Sequence, residues 1–377
     1  MLTELLTAVH ATPHMMVMNF AGAGAEALAW LHSVGGSSRT ILEATDRYVQ
    51  TSFIEATGFE PESYTSVAAA KALAHHAFTR ARYLAREDKP VFGLGCTATI
   101  ATDRQKRGDH RVAIAVEDAL GYSTYELVIT KGARDRAGEE SLVSWLILYA
   151  VAEACGVFDL PELPLVKGEQ VLMVFEPAAE LERLSKAELE FVVLEPEGRL
   201  STTVPENLAI LSGSFNPLHD GHRQLAEVAA QQLGEDAYFE LSLTNADKAP
   251  IDLAVARKRA VQFLGLDHLI LSRAPLFNDK ARLFKGTTFI IGADTASRLI
   301  NPKYYQSKPE AFHAAFEALR QDGASFLVAG RSRQGDFQTL DDIAIPPDFR
   351  DLFSEVPKNS FHMDISSTEL RNKFAKE

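Results

Sequence analysis

An apolar run, Leu208–Leu211, passes without interruption into Ser212-Gly-Ser-Phe-Asn-Pro-Leu-His-Asp-Gly-His222, and from there into a stretch with helical spacing that ends near Leu233. This one segment constrains the fold more than any other. A strand that feeds a helix through a short turn cannot pair back on itself as a hairpin. It must cross over to a parallel neighbour, which commits the region to alternating strands and helices. Gly213 and Pro217 shape the turn, and Gly221 removes a side chain where a backbone must come close to something.

The rest of the C-terminal half follows the same rhythm. Strands are expected at Leu208–Leu211, Ala237–Leu243, His268–Leu271, Phe289–Ile291 and Ser325–Val328. Helices are expected near Gly221–Leu233, Leu253–Phe263, Asp294–Leu299, Pro309–Gln321 and Ser366–Phe374. The pattern is that of an α/β, doubly wound parallel sheet, whose ligands bind beyond the carboxyl ends of the strands.

A chain of 377 residues exceeds one typical core, so more than one domain is expected. Residues 1–157 alternate helix-like stretches (Ala25–Val34, Ser66–Glu87, Glu139–Ala154) with short strand-like runs, giving an N-terminal α/β domain. Residues 158–206 are broken by prolines at 161, 164, 177, 196 and 205 and read as a connector, with a strand at Gln170–Phe175, a short helix near Ala178–Leu189 and a strand at Phe191–Leu194. Residues 207–377 form the third part.

The formal net charge of −13 argues against nucleic-acid binding, which needs Lys and Arg facing phosphates. No secretory signal and no membrane span are expected, and the two cysteines, Cys96 and Cys155, offer no disulfide framework. A cytoplasmic protein is the expectation.

Chemistry concentrates at two predicted helix starts. His219 and His222 lie three apart and share a face at the first turn of their helix. A helix start carries unpaired N–H groups and a partial positive charge, which suits a phosphate. Packing or capping is the plain explanation for a pair of histidines, but their place after a Gly-Ser-Phe-Asn-Pro turn favours a site. No third ligand at helpful spacing supports a metal, although Asp220 is adjacent. The second start is Asp364-Ile-Ser-Ser-Thr-Glu-Leu-Arg371, where three hydroxyls and a guanidinium one turn later exceed what a cap needs.

His219-Asp-Gly-His222 and Ile365-Ser-Ser-Thr-x-x-Arg371 resemble the paired signatures of the HxGH nucleotidyltransferases. Within that superfamily, Gly213, Ser214, Phe215 and Asn216 are similar to the opening loop of the nicotinate/nicotinamide mononucleotide adenylyltransferases. Phe289-Ile-Ile-Gly-Ala-Asp294 is similar to their glycine–x–aspartate segment. The resemblance implies transfer of AMP from ATP, as its Mg²⁺ complex, to a phosphorylated acceptor, with pyrophosphate leaving. It implies His219, His222 and Arg371 as catalytic residues. It also implies Gly213, Ser214, Phe215, Asn216, Gly292, Asp294, Ile365, Ser366, Ser367 and Thr368 as nucleotide contacts. Asn245, Lys248, Tyr304, Tyr305 and Arg331 are candidate acceptor contacts, and Lys280 and Lys285 are further basic candidates. A cytidylyltransferase, an adenylyltransferase for another phosphate, and a nucleotide sensor without turnover remain open.

In the first region, Ser33-Val-Gly-Gly-Ser-Ser-Arg-Thr40, Tyr48 and Gly93-Leu-Gly-Cys-Thr-Ala98 resemble CinA C-terminal domains, which include nicotinamide mononucleotide deamidases. Their nucleophilic serine follows a glutamate, whereas the matching stretch here, Asn19-Phe-Ala-Gly-Ala-Gly24, has no hydroxyl. Their lysine falls on Phe53. Without nucleophile and amine, a Ser–Lys amidohydrolase cannot run. The expected role is therefore non-catalytic, with Thr97 and Arg104–Arg107 read as a polar loop ahead of a residual pocket, and homo-oligomerisation through this domain is left open.

Overall fold

The computed structural model describes residues 1–85, 89–103, 107–244, 249–305, 307–333 and 336–357. The chain divides into two compact units. One comprises Met1–Glu182, Glu195–Leu200 and Ala260–Leu266; the other comprises Arg183–Leu194, Ser201–Arg259 and Asp267–Glu377.

The first unit is α1 (Leu2–Ala11), β1 (Met15–Ala21), α2 (Ala25–His32), β2 (Ile41–Asp46), α3 (Gln50–Thr57), α4 (Val67–Ala85), β3 (Val91–Thr99), β4 (His110–Asp118), β5 (Gly121–Ile129), α5 (Arg136–Ala154) and β6 (Leu172–Pro177). Its sheet runs β2-β1-β3-β4-β5-β6, parallel across β2-β1-β3 and antiparallel thereafter. α4 lies very close on the sheet. Its buried face is Ala69, Ala70, Leu73, Ala74, Ala77 and Ala81, and a Cβ at Gly93 would stand 2.1 Å from the Phe78 nitrogen. Small residues on both sides permit this approach, which explains the Gly93-Leu-Gly95 pattern.

The second unit holds α6 (Ala179–Ser185, which begins in the first), β7 (Phe191–Leu194), β8 (Leu200–Ser201), β9 (Ala209–Ser212), α7 (Asp220–Leu233), β10 (Ala237–Ser242) and α8 (Leu253–Ala260). It continues through β11 (Leu269–Ser272), α9 (Phe277–Leu283), β12 (Thr288–Gly292), α10 (Ala293–Leu299), α11 (Pro309–Gln321) and β13 (Ser325–Ala329), and ends with a small hairpin, β14 (Arg331–Arg333) and β15 (Asp336–Gln338), and with β16 (Phe353–Glu355). The strand order is β16-β13-β12-β9-β10-β11-β7-β8. Every pair from β16 to β11 is parallel, and β7 joins β11 antiparallel. From β11 to β16 the order is thus 3-2-1-4-5-6, the doubly wound arrangement, with its switch between β9 and β12. The central strands are buried on both faces, as continuous apolar runs require. Phe289, Phe316, Phe326, Phe349 and Phe353 fill one side.

Residues 158–206 were expected to form a connector and do not stand apart. β6 extends the first sheet by pairing with β5, and β7 extends the second by pairing with β11. The expected helix over Leu253–Phe263 closes as a tighter 3₁₀ turn at Val261–Phe263. The expected helix at Ser366–Phe374 lies outside the described residues.

Candidate functional site

β9 ends at Ser212, and the turn that follows is held from both sides. The Gly213 N–H donates to the Glu240 carbonyl at 3.0 Å, and Phe215 is fully buried with φ 44°. Its ring packs edge-on against Phe239 and against His222, at 5.5 and 5.2 Å between centroids. A Cβ on Gly213 would stand 2.6 Å from that ring, so only glycine leaves room for Phe215 to brace the histidine.

His219 is the N-cap of α7, in extended conformation, without a side-chain capping bond. Its Nδ1 is buried and has no hydrogen-bond partner among the described residues. His222 turns its Nδ1 toward the His219 N–H, which donates at 3.4 Å, so the ring proton belongs on Nε2. The two rings stack with centroids 3.7 Å apart. Burial lowers the His222 pKa to about 4, with help from His219, and burial likewise lowers that of His219 against the opposing pull of Asp220. Both are neutral imidazoles at pH 7, able to donate without first losing or gaining charge.

Across the switch, Ile290 of β12 pairs with Leu211 of β9. Gly292 therefore ends its strand level with Gly213, two positions past that pair, and Asp294 stands half-buried in the first turn of α10. A Cβ at Gly292 would meet nothing within 4 Å. The sequence-predicted residues of β9–α7 and of β12–α10 thus follow the carboxyl ends of two neighbouring parallel strands.

A cavity of about 600 Å³ opens beyond β9 and β10. Its lining includes Gly213, Ser214 and Asn216 of the turn, Arg259 of α8, and Lys280 of α9; His219 and His222 lie outside it. Arg259 donates to the Ser214 carbonyl at 3.2 Å. Lys280 sits beside Glu240, Nζ to Oε2 at 2.7 Å, and Ser272 donates to the other carboxylate oxygen. Glu240, Arg259 and Ser272 escaped the sequence reading; for Glu240 the one signal was a lone charge within an apolar strand.

Tyr305 packs edge-on against Phe312 and donates to the Leu299 carbonyl at 2.7 Å, while Tyr304 carries the Lys303 ammonium over its ring. Lys285 lies 4.0 Å from Asp322. Arg331 begins β14. Asn245, Lys248, Ile365, Ser366, Ser367, Thr368 and Arg371 lie outside the described residues. Among the described residues no group of three His, Cys, Asp or Glu could hold a metal ion, and no helix is long and apolar enough to cross a membrane.

In the first unit, Asn19 is wholly buried. It donates to the Leu73 carbonyl and to His76 Nδ1, and accepts from Arg47. The start of α2 is taken by the Glu140 carboxylate, which accepts from the N–H groups of Gly24 and Glu26. Phe53 is buried against Tyr64, and Tyr48 is exposed. Thr97 is buried, and Arg104 is outside the described residues. Burial pushes both thiols up, Cys155 to about 12, so neither is a thiolate near neutral pH.

Residues 210–373 match the family model described as cytidylyltransferase-like. No curated protein matches the chain. Among solved structures, the N-terminal part is similar to the competence/damage-inducible protein CihA from Agrobacterium tumefaciens, with 19% identity, a TM-score of 0.33, and 40% of this chain and 94% of that one covered. It is also similar to a competence-damaged protein (CinA) superfamily member from Klebsiella pneumoniae, with 11% identity, a TM-score of 0.33, and 42% and 96% covered. The C-terminal part of this chain, residues 210–373, is thus cytidylyltransferase-like.

Proposed function

We propose that the second unit transfers AMP from ATP to nicotinate or nicotinamide mononucleotide, releasing pyrophosphate, a step of NAD synthesis. The observation that carries this reading is the pairing of ends at the switch. The His219–His222 turn follows β9, and Gly292 ends the neighbouring β12 with Asp294 in the first turn of α10 behind it. A nucleotide bridging that seam meets imidazole donors on one side and, by resemblance, a ribose-binding carboxylate on the other.

The acceptor's phosphate oxygen attacks the α-phosphorus in line, a P–O bond forms, and the bond to the departing pyrophosphate breaks. No protein nucleophile is required, so positioning and charge stabilisation carry the rate. His222, its Nδ1 turned to the backbone, presents Nε2–H to oxygens that gain charge. The buried Nδ1 of His219 supplies a second polar contact once a phosphate or water meets it. By resemblance, Ser367, Thr368 and Arg371 hold the β- and γ-phosphates. Mg²⁺ prefers oxygen ligands and suits neither imidazole, so it is carried on the triphosphate rather than in a protein cage.

The test is pyrophosphate release by the full chain, with ATP or CTP offered against nicotinate mononucleotide, nicotinamide mononucleotide and other small phosphates. Turnover with ATP and a pyridine mononucleotide is the expected result. Tight nucleotide binding without turnover on any acceptor would replace this reading with that of a sensor.

A further inference from the structure

We infer that the cavity lined by Glu240 and Lys280 takes the acceptor, and that it selects a substrate whose buried end is an uncharged amide over one ending in a carboxylate, because its floor is the already neutralised pair Glu240–Lys280. The inference rests on the reading above and specifies its acceptor.

A cavity of about 600 Å³ has room for a small molecule. Glu240 and Lys280 both line it, yet are 0% and 6% exposed. Glu240 occupies an interior strand where an apolar residue would fold as well, so a charge there calls for a reason. Its two oxygens are both engaged, Oε1 by Ser272 Oγ at 2.5 Å and Oε2 by Lys280 Nζ at 2.7 Å. Lys280 also donates to Ser212 Oγ at 3.0 Å. Two of its three ammonium hydrogens are then spoken for, and one is left for a ligand. Ser242, also in the lining, shares its one hydroxyl hydrogen between the carbonyls of Thr244 and Ala274, which leaves its oxygen lone pairs to accept.

The floor thus offers one donor and hydroxyl acceptors on a patch with no net charge. An amide matches both halves: its carbonyl accepts from Lys280 and its NH₂ donates to a hydroxyl. A carboxylate supplies no donor. It also brings a second negative charge beside the buried Glu240 with Lys280 the one cation between them, while the Arg259 guanidinium, also in the lining, donates to the Ser214 carbonyl. A site built to pair a donor rejects a ligand lacking it by tenfold or more.

The experiment uses the full-length protein with ATP and Mg²⁺ and two acceptors differing only at this group, nicotinamide mononucleotide and nicotinate mononucleotide. The readout is kcat/KM from pyrophosphate release. The amide is expected to win by at least tenfold. Glu240→Gln removes the negative member and shifts the ratio toward the acid by tenfold or more. Lys280→Gln removes the positive member and shifts it further toward the amide. A merely structural pair would move both ratios alike or not at all, and that result overturns the inference. The wild-type ratio decides alone should either variant fail to fold: equal rates, or preference for the acid, overturn the inference and leave adenylyl transfer standing. Turnover with neither pyridine nucleotide overturns the proposed function itself.

Discussion

The imidazoles of His219 and His222 lie face to face, 3.7 Å between centroids, one at the cap and one in the first turn of the same helix. Stacking fixes both rings, and the His222 Nδ1 contact fixes its tautomer. His222→Ala is expected to lower turnover by a factor on the order of a thousand, as loss of a transition-state donor does. Far-ultraviolet circular dichroism should remain that of the wild type. Unchanged kinetics would remove His222 from the reaction.

The same ring makes stability depend on pH. Its pKa is held down to about 4, below the ordinary histidine value, chiefly by burial. Between roughly pH 4 and 6.5 the unfolded chain therefore binds a proton that the folded chain refuses, and stability falls as pH falls through that window. The loss is on the order of 1–2 kcal/mol, below the full shift because the ring is partly open to water. Urea midpoints measured from pH 7.5 to 4.5 should fall more steeply in the wild type than in His222→Gln. Parallel slopes would count against the assignment.

Two glycines at neighbouring strand ends should respond differently to one added methyl group. Gly213→Ala drives a Cβ into the Phe215 ring and should cost about 1–3 kcal/mol as well as activity. Gly292→Ala meets no atom within 4 Å and should change stability by less than about 1 kcal/mol. If the nucleotide backs onto Gly292, the KM for ATP rises about tenfold. A normal KM would place the nucleotide elsewhere.

Removing one partner of the Glu240–Lys280 pair leaves a buried charge without compensation. Glu240→Ala should cost about 3–5 kcal/mol in chemical denaturation. The double variant Glu240→Met, Lys280→Met should cost less than the sum of its singles, because neither charge is then stranded. Strict additivity would show that the pair does not interact.

Phe20 and Phe53 stand where the resemblance to CinA domains would require a serine and a lysine, and both are buried. The full chain should release no ammonia from nicotinamide mononucleotide. Ammonia above background that persists in His222→Ala would show that the first unit hydrolyses amides after all.

The doubly wound sheet was legible because β9, β10, β12 and β13 are apolar runs separated by helical spacing. The His219–His222 turn was legible because its chemistry is contiguous. What escaped depends on distant pairing. Phe191–Leu194 reads as a strand, but nothing local says that it joins Leu269–Ser272. β16 is three residues, too short for any period to register. Lys280 reads as one more surface base until Glu240, forty positions earlier, is seen beside it in the interior. β2 is partly exposed throughout, so its sequence carries no core signal.

Glu140 seals the opening of α2 with one carboxylate oxygen, which accepts from two N–H groups. A helix that receives its counter-charge from within has no appetite for one from outside. Phosphates and carboxylates approaching that end of the first unit meet a resident of like sign, and Asp46, whose acidity is weakened by burial first and by the same carboxylate second, stands nearby. The two units share an alternating architecture but not a preference: α7 opens on two neutral imidazoles, and α2 opens on a carboxylate of its own chain.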